Sequence, residues 1–207
     1  TDLEERSYSI LDSSPGFVFI SINHDRFWGN VYTSEHFSGF FRLALSYVPR
    51  SLNGQSDFVE IEGLDGVYMA NQYANPSPIG GGRPTGLNTW ISTNAGNSWN
   101  SLPAATGDIG NCSGECFTNL NGATTNYQSP FYSNPSAIGT ILATGNVGKT
   151  LNTLFSTFNT YISTDAGNSW RMLKKGDHLY ELSDHGGVVV LVNNTAPTST
   201  ITFSYTD

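Results

Sequence analysis

One eight-residue phrase occurs twice in this chain, and its repetition is the strongest constraint on the fold. Residues 92–99 read Ser-Thr-Asn-Ala-Gly-Asn-Ser-Trp and residues 163–170 read Ser-Thr-Asp-Ala-Gly-Asn-Ser-Trp, so the copies differ only at Asn94 and Asp165. Each copy follows one short apolar run and precedes another. Short runs joined by a turn-forming phrase predict a β-hairpin, and the repetition predicts a fold assembled from similar sheets.

The residue types in the phrase suit a tight turn. The Ser hydroxyl and the Asn or Asp side chain can accept backbone N–H bonds, the Gly can adopt a positive φ, and the Trp can fold back as an apolar plug. The spacing S-x-D-x-G-x-x-W is the Asp-box pattern of β-propeller blades. We therefore predict structural roles for the box residues, which are Ser92, Asn94, Gly96, Trp99, Ser163, Asp165, Gly167 and Trp170.

Composition agrees with a fold of strands and turns. Only 13% of the 207 residues are charged, the chain has 22 glycines, and long stretches with helical period are absent. The net charge of −8 and the scattered Lys and Arg residues argue against a nucleic-acid-binding surface. An acidic surface is best explained by solubility, and binding of a basic peptide is the less favoured explanation. No apolar run reaches the roughly 18 residues of a membrane span, so we predict no direct membrane contact from this segment.

Strand candidates follow a repeated pattern of four along the chain. They predict blades at about 7–47, 57–103 and 116–175, and an incomplete blade at 178–207, with loop insertions at 75–86 and 103–135 that should lie on the surface. Degenerate boxes at 34–41 and 205–207 support the count. Closed propellers have about four to eight blades or more, so residues 1–207 are predicted to form an all-β partial arc.

The sequence outside the boxes resembles the Vps10 domain of sortilin-type sorting receptors. Within that family it is most similar to the SorLA, or sortilin-related receptor, branch. The resemblance lies in residues 61–70, in residues 141–149 and above all in the Asp-His-Gly-Gly-Val-Val-Val run at 184–190. It implies a ten-bladed propeller in the lumenal or extracellular part of a type I membrane protein of the Golgi, endosomes and cell surface.

The resemblance also implies partners. The propeller would capture peptides or proproteins, and this segment would pack against the remaining blades of the same receptor chain. In the family an Arg clamps the terminal carboxylate of a peptide, but the matching position lies before Thr1, so no ligand-binding residue is transferred to this sequence.

Several carboxylates could suggest an enzyme, but each has a structural explanation. Asp165 is expected to accept turn N–H bonds, which makes it a poor acid, and Asn94 occupies the same place without a titrating group. Alternation along a strand places Glu60 and Glu62 on one face, with Asp65 nearby, where a solvated or blade-contact role is favoured. We predict no catalytic residue.

A second group of residues could suggest a bound ion or phosphate. His178, Asp184 and His185 supply too few ligands at this spacing for a metal site. Residues 145–150, Gly-Asn-Val-Gly-Lys-Thr, lack the first glycine and the following helix of a phosphate loop. We therefore predict neither a metal nor a cofactor.

The cysteines and two sequons suggest a secreted or lumenal compartment. Cys112 and Cys116 are too few for a structural zinc site, and a local disulfide between them is favoured if the compartment is oxidising. Asn111 and Asn193 each begin a glycosylation sequon, and Asn193 lies in a predicted turn.

Three functional hypotheses remain open from the sequence. The leading one is a peptide-binding or proprotein-binding receptor segment, and the others are an Asp-box glycosidase of the sialidase type and a purely structural set of blades. A sialidase needs an arginine cluster around its substrate, whereas here the arginines are dispersed in sequence at Arg6, Arg26, Arg42, Arg50, Arg83 and Arg171.

Overall fold

Antiparallel sheets account for nearly all regular structure in the chain. The computed structural model describes residues 7–13, 16–35, 39–77, 82–108, 113–126 and 128–205. The first sheet contains β1 (Tyr8–Asp12), β2 (Phe17–Asn23), β3 (Trp28–Glu35) and β4 (Phe41–Pro49). The second contains β5 (Phe58–Glu60), β6 (Tyr68–Asn75), β7 (Thr85–Ser92) and β8 (Asn100–Ser101).

Two further sheets follow along the chain. The third contains β9 (Phe117–Leu120), β10 (Tyr132–Ser133), β11 (Ile141–Gly148), β12 (Asn159–Ser163) and β13 (Arg171–Lys175). The fourth contains β14 (His178–Ser183), β15 (Val188–Asn193) and β16 (Ile201–Tyr205). Short 3-10 helices occur at Phe155–Thr157 and Asp184–Gly186. Within each sheet, paired neighbours are mostly consecutive in sequence, as in a meander.

The third sheet departs from the four-strand pattern because two segments share its first position. β9 pairs with the second half of β11, and β10 pairs with the first half of the same strand. The strand predicted at about 116–120 is thus observed as β9, and residues 103–104, 106–107 and 113–115 are exposed as a surface loop would be, but the prediction of a surface loop is wrong for the buried and paired parts of 103–135. Leu120 and Asn119 are buried, and Thr106 forms a parallel bridge with Arg171 beside the last strand of the sheet.

The other predicted insertion, 75–86, is shorter than expected. β6 extends to Asn75 and β7 begins at Thr85, so only the residues between them connect the two strands. Of these, residues 78–81 lie outside the described residues, as do residues 36–38 of the first degenerate box and residues 206–207 of the second.

Side chains alternate between the two faces of each sheet and thereby build a core between every pair of neighbouring sheets. In β6, Tyr68 and Ala70 face the first sheet while Met69 faces the third. In β11, Ile141 faces the second sheet while Leu142 faces the fourth. We call these three apolar layers the first, second and third seams, in chain order.

The outward faces of the first and fourth sheets are apolar but exposed. On β16, Ile201 and Phe203 are 66% and 62% exposed, and on β1, Ile10 is 67% exposed. A sheet with one apolar face normally buries that face against another layer. The fold is thus all-β, a partial arc of propeller blades whose two end faces resemble the faces buried in the seams.

Candidate functional site

The first box turn is held by its own side chains. The Ser92 hydroxyl accepts the Gly96 N–H at 2.9 Å and donates to Asn94 Oδ1 at 3.1 Å. Asn94 Oδ1 also accepts the Ser98 N–H at 2.9 Å. Three polar groups in the turn thus satisfy one another without help from distant residues.

The second box turn repeats this geometry with a carboxylate. The Ser163 hydroxyl accepts the Gly167 N–H at 2.9 Å and donates to Asp165 Oδ1 at 2.8 Å. Ser169 donates its N–H to Asp165 Oδ1 at 2.9 Å and its hydroxyl to Oδ2 at 2.6 Å. Partial burial opposes ionisation, but these hydrogen bonds prevail and lower the pKa of Asp165. Both carboxylate oxygens are occupied, so the geometry gives Asp165 no catalytic task.

The two box tryptophans differ in their surroundings. Trp170 is 2% exposed, packs in the second seam, and donates its Nε1–H to the Gly167 carbonyl at 3.1 Å. Trp99 is half-buried and meets Phe58 edge-on, with ring centroids 6.1 Å apart. Its Nε1 is buried without a hydrogen-bond partner. Trp99 is therefore less buried than the apolar plug that the sequence predicts.

Each box touches the preceding sheet through its glycine. Gly96 has φ +72°, and a Cβ there would lie 3.0 Å from Cε1 of Phe19. Gly167 has φ +84°, and a Cβ there would lie 2.4 Å from Cδ1 of Ile91. Arg42 adds a polar contact across the first seam, since its guanidinium donates to the Gly96 carbonyl at 3.3 Å. The boxes thus lie where neighbouring sheets meet.

The carboxylates near β5 do not form a catalytic pair. β5 ends at Glu60, so the alternation expected to place Glu62 on the same face stops before that residue. The Glu62 N–H donates to the Ser133 hydroxyl at 2.9 Å, while the side chains of Glu62 and Asp65 are exposed. These observations describe a turn docked on the third sheet.

The histidine group is divided between the two ends of β14. His178 is buried at the start of that strand, with Nδ1 3.0 Å from both the Thr160 hydroxyl and the Gly176 carbonyl. Asp184 and His185 follow the end of the strand and are exposed, with a side-chain separation of 3.9 Å. Among the described residues, no group of three His, Cys, Asp or Glu side chains could hold a metal ion.

The glycine-rich stretch at 145–150 belongs to a strand and its end. Gly145 and Gly148 both lie in β11, and every residue of that strand is buried. A Cβ at Gly145 would lie 2.0 Å from the Asn119 carbonyl oxygen, so β9 can approach β11 closely only because this residue is glycine. The stretch is not a phosphate loop.

The predicted modifications are only partly within the described residues. Asn111 and Cys112 lie outside them, so the disulfide and the first sequon stay predictions. Cys116 is half-buried beside the second seam. Asn193 ends β15 and is exposed, and its Oδ1 accepts the Thr195 hydroxyl at 2.8 Å, so the second sequon is accessible in a turn.

Sequence reasoning missed a pair of buried aspartates that occupy matching places. Asp57 and Asp177 each directly precede the first strand of a sheet. The backbone N–H of Asn71 donates to the Asp57 carbonyl, and the Asn71 side-chain amide donates to the Asp57 carboxylate, each at 3.0 Å. Asn194 forms the same two hydrogen bonds with Asp177, also at 3.0 Å. Burial raises the pKa of Asp57 despite these bonds. The sequence signal that could have indicated these sites is an Asp immediately before the first strand of a sheet, which occurs at both positions.

Clefts open at the end of the sheets where second strands turn into third strands, and one of about 380 Å³ lies along residues 146–150. Two others contain side chains that could meet a ligand. The first has a volume of about 610 Å³, and we call it the amide cleft because Asn126, Gln128 and Asn194 line it. It also contains Asp177, whose carboxylate already accepts a hydrogen bond from the Ser129 hydroxyl. The second, the arginine cleft, has a volume of about 330 Å³. Its lining comprises Phe27, Tyr73, Arg83, Pro84, Thr85, Gly86, Leu87, Asn121, Thr125, Leu151, Asn152, Thr153 and Phe158.

Phe27 at the arginine cleft brings together two cations that are far apart in sequence, of which Arg83 lines the cleft. The guanidinium carbon of Arg83 lies 5.5 Å from the ring centre of Phe27, and that of Arg26 lies 4.4 Å from the same ring. The two arginines come from the β2–β3 turn and from the residues before β7. No periodicity in the sequence predicted this pairing, because it depends on how two sheets pack.

The sequence matches a known family over its whole length. The Sortilin-Vps10 family model, described as "Sortilin, neurotensin receptor 3", covers residues 1–207. The chain belongs to the Sortilin-Vps10 family. Among curated proteins it is 35% identical to the "Vacuolar protein sorting/targeting protein 10" of Laccaria bicolor, with 97% of this chain covered. It is 32% identical to the protein of the same name from Phaeosphaeria nodorum, with 98% covered.

The family members are much longer than this segment. The chain spans 14% of the Laccaria protein and 15% of the Phaeosphaeria protein. The expected likeness to the SorLA branch is not tested by these fungal relatives and stays a prediction. Within the described ranges of the chain, no helix is both long enough and apolar enough to cross a membrane.

Proposed function

We propose that this segment is part of the ligand-binding propeller of a sorting receptor, and that the propeller captures peptides or proproteins for transport between the Golgi and endosomes. The observation that carries the proposal is the match to the Sortilin-Vps10 family over residues 1–207. The printed name of the relatives, which refers to vacuolar protein sorting and targeting, supports a transport role. We place the segment in the lumenal or extracellular part of a type I membrane protein, present also at the cell surface.

The apolar end faces support the proposal that further blades of the same receptor chain pack on both sides. β16 presents Ile201, Phe203 and Tyr205 on one face, all of them exposed. Their ladder partners in β15 are Val192, Val190 and Val188, so the apolar face spans both strands. The length of the relatives leaves ample chain for neighbouring blades.

Light scattering tests this part of the proposal. We expect residues 1–207 alone to oligomerise or aggregate, because both end faces are apolar and β16 leaves an unpaired edge. The complete receptor should be monodisperse under the same conditions. A monodisperse segment that binds a propeptide as well as the complete receptor does would show that the remaining blades are not needed.

Ligand capture is tested by photo-crosslinking a propeptide to the complete receptor and mapping the adducts by mass spectrometry. We expect adducts within residues 1–207. Adducts confined to other parts of the receptor would favour the purely structural hypothesis for this segment. Absence of propeptide binding by the folded receptor would contradict the proposal.

The glycosidase hypothesis has weaker support. In the described structure Arg42 bridges two sheets, and Arg50 donates to the carbonyl of Asp25 at 3.4 Å. Arg26 and Arg83 share Phe27, and no carboxylate forms an ion pair with either within the described residues. We expect no hydrolysis of a fluorogenic sialoside by the complete receptor, and measurable turnover would revive the enzyme hypothesis.

A further inference from the structure

We propose that the arginine cleft binds an acidic side chain of an extended peptide together with a large apolar side chain next to it. This inference rests on the proposed function, since it names the ligand chemistry of one surface of the receptor. The cleft lies at the ends of β6 and β7 and against the β11–β12 connection, within the part of the chain that the structure describes.

The charge at the mouth of the cleft favours an anion. Arg26 and Arg83 both lie against the Phe27 ring, and neither forms an ion pair within the described residues. Two like charges on one aromatic surface repel each other, and a bound carboxylate relieves that repulsion while accepting charge-assisted hydrogen bonds. Asp25 of the same turn is the carboxylate nearest in sequence and accepts the Phe27 N–H at 2.9 Å, so the positive charge at the mouth is the excess of Arg26 and Arg83 over this one acid.

The walls of the cleft favour an apolar side chain beside the acid. Leu151 and Phe158 are buried along one wall, and Leu87 is held close by a backbone bond from the Leu151 N–H to its carbonyl at 2.7 Å. Phe27 contributes an aromatic surface at the mouth. A volume of about 330 Å³ is at the lower end of small-ligand sites, which is enough for one or two side chains.

The polar residues Asn121 and Tyr73 of the cleft differ in their access to a ligand. Asn121 is fully buried and donates to the Thr144 hydroxyl at 3.0 Å, but its Oδ1 has no hydrogen-bond partner. Because this oxygen is closed off from the surface, Asn121 forms part of the floor beneath the cleft and is not a ligand contact. Tyr73 is half-buried and its hydroxyl can donate to a ligand; burial first and Asp57 second raise the pKa of that hydroxyl, while Arg83 lowers it. A sulfated sugar would satisfy the arginines but leave the apolar walls uncovered.

The test compares two end-capped hexapeptides on the complete receptor by titration calorimetry. Gly-Gly-Glu-Phe-Gly-Gly carries the acid and the aromatic side chain, and Gly-Gly-Gln-Phe-Gly-Gly differs only in charge. We expect the Glu peptide to bind about tenfold more tightly, in line with a charge-assisted hydrogen bond. Because both ends are capped, capture of a terminal carboxylate cannot produce this difference. Equal affinity for the two peptides would overturn the inference.

Variants of the receptor locate the effect. Arg83→Gln should reduce the preference for the Glu peptide to within about twofold. Arg171→Gln removes the same charge from another exposed arginine, on β13, and should leave the preference unchanged. Thr153→Trp, at an exposed position of the lining, should weaken both peptides by filling the cleft. A preference that survives Arg83→Gln, or binding that is indifferent to Thr153→Trp, would contradict the proposed site.

The two proposals fail in distinguishable ways. If the receptor binds a propeptide but shows no difference between the capped peptides, the arginine cleft is not the acidic subsite while the receptor function stands. If the folded receptor binds neither propeptide nor capped peptides, the proposed function itself fails.

Discussion

The box turns at 92–99 and 163–170 form nearly the same hydrogen bonds, yet their tryptophans end in different surroundings. In both turns a Ser hydroxyl accepts the Gly N–H at 2.9 Å. Trp170, however, is followed by the five residues of β13, whereas Trp99 is followed by the two residues of β8. In addition, Thr106 donates its N–H to the Trp170 carbonyl at 2.9 Å, so residues from the predicted insertion cover the second turn.

The comparison shows that a local motif fixes a turn but not the burial of the side chain that follows it. The turn depends on hydrogen bonds within a few residues, while burial depends on segments that arrive from elsewhere in the chain. Truncating the two tryptophans should therefore give unequal effects, because distant segments surround the two rings differently. Exchanges confined to the turn should give equal ones.

The largest inequality is expected on truncating the tryptophans. Trp170→Ala should lower the free energy of unfolding by about 3–5 kcal/mol, because it leaves a cavity in the second seam. Trp99→Ala should lower it by about 1–2 kcal/mol, because that ring is half-buried. Urea titration of the complete receptor followed by a local fluorescence probe measures both. Equal losses would show that exposure does not decide the role of these rings.

Adding a methyl group to each box glycine should cost less and should affect both copies. Gly96→Ala and Gly167→Ala each force a left-handed backbone on alanine, which costs about 1–2 kcal/mol. The clash at Gly167 is with the terminal methyl group of Ile91, which a change of rotamer can relieve, while the contact at Gly96 is with the edge of the Phe19 ring. Thermal melts should therefore show similar shifts. A shift several times larger at either position would mean that the clash outweighs the backbone strain.

Replacing each indole by a phenyl ring separates the hydrogen bond from the packing. Trp170→Phe removes the donor to the Gly167 carbonyl and should cost about 0.5–1.5 kcal/mol beyond the loss of ring volume. Trp99→Phe removes a buried N–H that has no partner, so it should be close to neutral. The measurement is the difference in urea midpoint between the two variants. A larger loss for Trp99→Phe would indicate that its Nε1 has a partner in the complete receptor.

The smallest expected effect is on the pH dependence of stability, which the two copies should exchange when Asp and Asn are swapped between them. Because the folded-state pKa of Asp165 is lowered, its contribution to stability is present above the ordinary value of 3.8 and is lost as pH falls through the lower folded value. The contribution should stay under about 1 kcal/mol, since the side chain is largely exposed. Asp165→Asn should remove this dependence, and Asn94→Asp should create it in the first turn. Stability profiles from pH 6 to pH 3 that are unchanged in both variants would refute the assignment.

Much of the fold could be predicted from local patterns. The short runs on either side of each box predicted β-hairpins, and the structure has them as β7–β8 and β12–β13, because strand periodicity and turn chemistry are properties of neighbouring residues. The run at 184–190 and the two boxes indicated the family that the whole-length match shows. Within the predicted insertion at 103–135, the strand expected at about 116–120 is observed as β9, but β10 at Tyr132–Ser133 was not predicted, because it lies in a polar, glycine-containing stretch that resembled a loop.

The same stretch shows why polar composition is a poor guide to exposure where two strands pack closely. Asn119 and Asn121 are polar, yet both are buried because their amides bond to carbonyl and hydroxyl groups of the third sheet. A polar residue can be buried where it finds hydrogen-bond partners, and here both partners, Gly148 and Thr144, belong to β11. No window of the sequence around 119–121 contains that information.

The sequence alone determined the all-β class, the repeated hairpins and the family, because these depend on residues that are close together in the chain. Only the tertiary structure decided which tryptophan is buried, where Asp57 and Asp177 find their amides, and that Arg26 and Arg83 meet on one phenylalanine ring. Each of these depends on the packing of one sheet against the next, which brings together side chains from separate strands and turns.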